Sequence, residues 1–172
     1  MSKSDAFLQA GKTAVLQNIH GTMQFLQRFP PFNQMENTHL AFLVEQCQLR
    51  FYGPGESIIR PADGPVEHFY IVKQGRVVGE RTHVGRQEAE TTFEITAGEC
   101  FPLAALLGGR ATRTEHRAAE DTFCLQLNKP AFIKLFALSE EFRDFALRGV
   151  SSLLDKVNQQ VQQKAVETLG TQ

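Results

Sequence analysis

The chain has 172 residues, enough for one domain with a core of its own. Its 18 basic and 19 acidic residues leave a net charge of -1, which argues against nucleic acid or an anionic membrane as a partner. Hydrophobic residues make up 42%, no run approaches the roughly 18 apolar residues a bilayer span needs, and the N-terminus lacks the apolar stretch of a secretion signal.

Residues 1–47 read as helical. Phe7, Leu8, Val15, Leu16, Ile19, Met23 and Leu26 recur at helical spacing. Gly11 and Gly21 weaken this helix and are candidate breaks, and Pro30-Pro31 stops it. Asn37 or Thr38 is placed to cap a second helix carrying Leu40, Phe42, Leu43 and Val44.

Residues 48–128 read as β. Short apolar runs at Leu49–Tyr52, Ser57–Ile59, His68–Lys73, Arg76–Glu80, Thr91–Thr96, Arg113–Ala118 and Thr122–Leu127 are separated by turn residues. Phe93 and Ile95 alternate with polar neighbours, the pattern of a half-buried strand. Leu103–Leu107 breaks the series as a short helical turn. This many short strands predict a mainly β fold with flanking helices: a sandwich, jelly roll or barrel.

Residues 129–172 return to helix. Pro130 stands where a first turn tolerates it, and Ser139-Glu140-Glu141-Phe142 opens a long helix to about Leu169. Val150, Leu154, Val157, Val161 and Ala165 form a narrow apolar seam on this otherwise polar helix. Two readings stay open: the seam of a homodimer, or a surface packed on the chain's own β block.

The order helix, β block, helix gains specificity from its motifs. Tyr52-Gly53-Pro54-Gly55-Glu56-Ser57-Ile58, then Asp63, then Phe69–Val77, followed by Gly98-Glu99, Phe101 and Ala119–Thr122, resembles the cyclic-nucleotide-binding domain family. The resemblance covers about Phe29 to Leu135. It implies a double-stranded β-helix, the β-roll of jelly-roll or cupin type, with N-terminal helices and a long C-terminal helix. Gly55 and Gly75 would make its tight turns, and Phe69, Ile71 and Val72 would fill it.

The same resemblance locates a ligand cassette. In the family, helix N-terminal amides and an Arg neutralise a cyclic phosphate, and a Glu binds the ribose hydroxyl. The corresponding stretch is Phe101–His116. Aligned without gaps, the family's Gly falls on Pro102, its Glu on Leu103 and its Arg on Thr112. Both polar determinants of cAMP recognition are absent in register, and Arg110 and Arg113 flank the vacant Arg position. The candidate binding residues are Leu103, Ala104, Ala105, Gly108, Gly109, Arg110, Thr112, Arg113 and Thr114. Arg110 or Arg113 would hold an anion, with the backbone near Leu103–Ala105 capping it. No cofactor is fixed by this pattern; cAMP or cGMP, another nucleotide or anion, or an empty pocket all remain open.

A finer resemblance concerns Phe25–Phe32, His68–Glu80, Phe101–Arg110 and Ala118–Cys124. These stretches are similar to a bacterial subgroup in which such a domain precedes a CBS pair and a nucleotidyltransferase-like domain. That implies the sensor of a larger cytoplasmic signalling protein, with the chain ending in a linker.

Other signals are weak. Gly11-Lys12-Thr13 lacks the upstream glycine of a P-loop, since Ala6 holds that position. His20, His39, His68, His83 and His116 show no metal-ligand spacing and read as surface or turn residues; His116 is the one near the cassette, the position from which a histidine would sense pH. Cys47, Cys100 and Cys124 are odd in number, without CxxC spacing, as expected for free thiols in a reducing compartment. Cys47 and Cys124 read as core, and Cys100 as a thiol beside the cassette. Of the basic clusters, Arg76, Arg81 and Arg86 read as a solvated strand face, while Arg110, Arg113 and Arg117 follow the cassette. No arrangement of residues supports catalysis. Two functions therefore compete: a ligand-sensing regulatory domain, and a structural or dimerisation module that keeps only the fold.

Overall fold

The computed structural model describes residues 3–81, 85, 90–151, 162 and 166. Helices α1 (Lys3–Leu26) and α2 (Asn37–Gln46) lead into β1 (Gln48–Tyr52), β2 (Ser57–Ile59), β3 (His68–Gln74), β4 (Arg76–Arg81), β5 (Glu90–Thr96) and β6 (Cys100–Phe101). After these come α3 (Leu103–Gly108), β7 (Glu115–Ala118), β8 (Thr122–Asn128) and α4 (Lys129–Leu138). Residues 140–151 form α5. Among the described residues the strands make two four-stranded sheets, ordered β1-β8-β3-β6 and β2-β7-β4-β5, with every pairing antiparallel. Except at β4–β5, each strand lies in the sheet opposite its predecessor. The chain thereby winds into the expected β-roll.

Strand β3 shows why its sequence is apolar throughout. Phe69 and Ile71 face the helices and join Leu40, Leu43, Leu127, Phe132 and Phe142 in one core. Tyr70 and Val72 point the other way, into the roll, against Ile59, Val77, Ile95, Phe101 and Cys124. A strand covered on both faces cannot alternate with polar residues. The rings of Phe69, Phe132 and Phe142 lie 5.2 to 5.7 Å apart in pairs, tying β3 to α4 and α5. The turn into β4 requires Gly75: its φ is 97°, and a Cβ there would fall 2.5 Å from the Asp121 carbonyl oxygen.

The C-terminal helices start where their residues direct. Asn128 caps α4, its Oδ1 accepting from the Ala131 amide at 2.9 Å. Ser139 ends α4, and its Oγ accepts from the Phe142 amide at 3.2 Å to begin α5.

Several expectations are corrected. Helix α1 runs unbroken through Gly11 and Gly21; a Cβ at Gly21 would meet nothing within 4 Å, so the glycine costs helix propensity and no packing. Helix α2 begins at Asn37 itself, which puts Glu36 at the cap with no side-chain bond. Strand β7 starts at Glu115, not Arg113, because its ladders with β4 and β2 end at Glu80↔Glu115 and Ile59↔His116. The two-residue strand β6 carries no sequence signal. The seam residues Leu154, Val157, Val161 and Ala165, together with His83, Arg86 and the side chains of Phe7, Leu8, Val15 and Leu16, lie outside the described residues.

Candidate functional site

The segment from β6 through α3 to β7 walls a cavity of about 700 Å³, within the size range of small-molecule sites. Cross-strand register builds its wall. Gly79 in β4 pairs with Phe93 of β5 on one side and His116 of β7 on the other, so the three residues share one face of the sheet. A Cβ on Gly79 would overlap the Phe93 ring, which lies across the space the glycine leaves open. There Phe93 meets His116, with ring centroids 5.4 Å apart. His116 stacks on Phe101 at 5.1 Å and 9°, and Phe101 on Tyr70 at 5.0 Å and 10°. A column of four rings thus runs from the interior of the roll to the cavity, where Phe93 is 38% exposed.

Two buried polar side chains face this wall. Burial pushes the His116 imidazole down to about 4, against a backbone hydrogen bond that works the other way. The ring is therefore neutral near pH 7. Its Nδ1 lies 3.2 Å from the Thr114 carbonyl oxygen, to which it donates, leaving Nε2 as an acceptor. Thr112 is only 7% exposed, and its Oγ1 has no hydrogen-bond partner among the described residues. A buried hydroxyl left unmatched costs about 1–3 kcal/mol, a cost that a ligand or water relieves.

The charges sit elsewhere. Arg81, Arg110 and Arg113 line the cavity and are all exposed. None of the three makes an ion pair among the described residues. Arg117, on the opposite face of β7, is committed to Glu80 at 3.3 Å and Glu115 at 2.8 Å, and Arg76 to Glu94 at 2.8 Å. Cys100 also lines the cavity; its thiol is pushed up by burial first and by Glu99 second, so it stays protonated and unreactive. Burial likewise raises the core thiols of Cys47 and Cys124 to about 12.

Of the nine candidate residues, Leu103, Ala104, Ala105, Gly108, Arg110, Thr112, Arg113 and Thr114 all line the cavity. Gly109 does not: it closes α3 in the left-handed conformation and faces Lys129. From the seam, Val150 lines the cavity together with Gly149, which approaches Leu103. Helix α5 therefore passes beside α3 at the cavity wall. Phe93, Gly79 and Arg81 were not singled out from sequence as ligand contacts. The available signal was an isolated glycine inside the strand Arg76–Arg81, which marks a close approach. No group of three or more His, Cys, Asp or Glu is positioned for a metal among the described residues, and none of their helices is long and apolar enough to cross a membrane.

Residues 49–139 match the cyclic nucleotide-binding domain, just over half of the 172 residues. The chain belongs to the cyclic nucleotide-binding domain family. Solved structures agree on the fold. The regulatory domain of Toxoplasma gondii PKA, crystallised with cAMP, is 18% identical with a TM-score of 0.72, over 82% of this chain and 52% of that one. The Thermus thermophilus catabolite activator protein is 22% identical with a TM-score of 0.59, over 76% and 58%. The regulatory subunit of a cAMP-independent protein kinase A from Trypanosoma cruzi, bound to guanosine, is 21% identical with a TM-score of 0.71, over 88% and 52%. The chain thus spans between half and three-fifths of each of these structures. No curated protein matches the sequence.

Within this cyclic nucleotide-binding domain, the ungapped register puts half-buried Leu103 where the family has its ribose-binding Glu, and buried Thr112 where it has its phosphate Arg.

Proposed function

We propose that this domain is the ligand-sensing regulatory module of a larger bacterial signalling protein, and that it takes a nucleotide-like or other anionic ligand, not cAMP, in a degenerate cassette. One observation carries the reading: a cavity of about 700 Å³ stays open over α3, lined by eight of the nine cassette residues and by arginines that make no ion pair among the described residues. A domain kept only as scaffold has no need of a buried, unmatched Thr112 hydroxyl beside such a space. The guanosine-bound trypanosomal protein supports the idea that this fold accommodates nucleosides without depending on cAMP. The domain itself is regulatory and not an enzyme. Coupling would run through α5, whose Gly149 and Val150 stand at the cavity; ligand capture would shift the population of α5 packings. In this reading Val150, Leu154, Val157 and Val161 supply a homodimer seam, and the domain belongs to a cytoplasmic protein with CBS and nucleotidyltransferase-like domains.

The competing reading is a structural or dimerisation module with an unused pocket. It is favoured by Leu103 and Thr112, which replace both polar determinants. A thermal-shift panel of adenosine, guanosine, AMP, ADP, ATP, cAMP, cGMP and cyclic dinucleotides separates the two. A ligand at about 100 times its Kd adds roughly 2.7 kcal/mol of stability, a rise of several degrees in Tm for a chain this long. The sensor reading expects such a shift from at least one nucleoside or nucleotide and none from cAMP. No shift from any compound at millimolar concentration would leave the scaffold reading standing.

A further inference from the structure

The cavity has a polarity opposite to that of a phosphate-first site. Its inner wall is aromatic and apolar: Phe101, Ile95, Ala105 and His116 are 2 to 7% exposed and carry no charge near pH 7. The orphan Thr112 hydroxyl is an unmatched hydrogen-bonding atom on that inner wall. All three lining cations, Arg81, Arg110 and Arg113, are exposed residues of the rim. A phosphate pushed to the inner wall would leave water with no cation to meet it, whereas at the rim it keeps both water and guanidinium partners. Phe93 supplies the matching surface for a flat ring. Three of its ring atoms crowd the position of a Gly79 Cβ, so one face lies down on the sheet and the other is turned away from it.

Resting on the sensor reading above, we infer that the ligand enters base first: a nucleobase stacks on Phe93 beside His116, Thr112 Oγ1 hydrogen-bonds the edge of the base, and the phosphate stays outside among Arg81, Arg110 and Arg113. This assigns the aromatic wall, and not the arginines, as the source of specificity. It makes linear nucleoside 5′-phosphates and free nucleosides the ligand class, because a 5′-phosphate reaches outward from a buried base. Phe93, Gly79 and His116 become the specificity-determining residues, although none of them belongs to the cassette helix.

The test is calorimetric titration of adenosine, guanosine, AMP, GMP, cAMP and ribose 5-phosphate into the wild-type chain, Phe93→Ala, and the double variant Arg110→Ala with Arg113→Ala. Phe93 is partly exposed, so its truncation leaves the folded core in place. Phe93→Ala is expected to weaken nucleoside and 5′-nucleotide alike by about tenfold or more. The double arginine variant, which keeps Arg81, is expected to bring the 5′-nucleotide toward the affinity of its nucleoside, leave the nucleoside unchanged, and weaken the salt dependence of binding. Ribose 5-phosphate is expected not to bind. Base-first entry is overturned if the arginine variant loses the nucleoside too while Phe93→Ala binds as wild type, or if ribose 5-phosphate binds as tightly as AMP; in both cases the sensor reading survives. If none of these compounds binds the wild type, base-first entry falls together with the nucleotide form of the sensor reading.

Discussion

A neutral imidazole wedged between Phe101 and Phe93 couples this fold to acid. His116 titrates at 6.5 in the unfolded chain and at about 4 when buried. Between those values the unfolded state holds a proton that the folded state refuses, so stability is lost as pH falls from about 6.5 toward 4. By pH 5.5 the loss attributable to this group is on the order of 1 kcal/mol. His116→Phe keeps a ring in the column and removes the proton. Urea denaturation of both proteins at pH 7.5 and pH 5.5 should show the variant gaining on wild type by about that amount at the lower pH; parallel losses would mean that another group carries the acid sensitivity. The two vacated family positions make a second residue-scale case. Leu103→Glu combined with Thr112→Arg restores the carboxylate and guanidinium of the family cassette. Two charge-assisted hydrogen-bonding groups should raise cAMP affinity by about 100-fold by titration calorimetry. Unchanged cAMP binding would show that the cassette backbone no longer fits a cyclic phosphate. Leu103 and Thr112 were legible from the motif alone. The wall of Phe93 over Gly79 was not, because it depends on which strands lie side by side.

Among the elements, α5 links the cavity to the rest of the core. It is anchored by Phe142 and Ala146, both fully buried, with Phe142 in ring contact with Phe69 of β3 and Phe132 of α4. Phe142→Ala removes the apex of that cluster. It should cost about 3–5 kcal/mol in chemical denaturation, and, since Gly149 and Val150 of the same helix line the cavity, it should weaken ligand binding as well. A cost under about 1 kcal/mol would mean that α5 docks by other contacts. The start of this helix was readable, because Ser139 followed by two glutamates is a capping signal that acts within four residues. The start of α2 misled for a related reason: Asn37 is a good capping residue, but the turn after Pro30-Pro31 delivers Glu36 to the cap position. The start of β7 at Glu115 was equally out of reach of local reading, since a strand is paired only where its neighbours are.

For the whole molecule, the β-roll and its helices share their decisive residues. Strand β3 has one face in each core, so the helical segments and the roll form a single packed unit over the described residues. A ligand bound beside Gly149 and Val150 would act on that shared core, so the thermal-shift panel would read binding and packing together. The sequence by itself determined the fold class and the order of elements. Those properties depend on periodicity, turn residues and motif register, all of which are local in the chain. Only the tertiary structure decided that a column of four rings runs from the roll interior up to the cavity, that Arg110 and Arg113 join Arg81 at the rim while Arg117 is committed elsewhere, that Gly109 faces away, and that Val150 meets the cavity. Each of these rests on contacts between strands or helices far apart in sequence. Such contacts are set by sheet register and core packing, which no local pattern encodes.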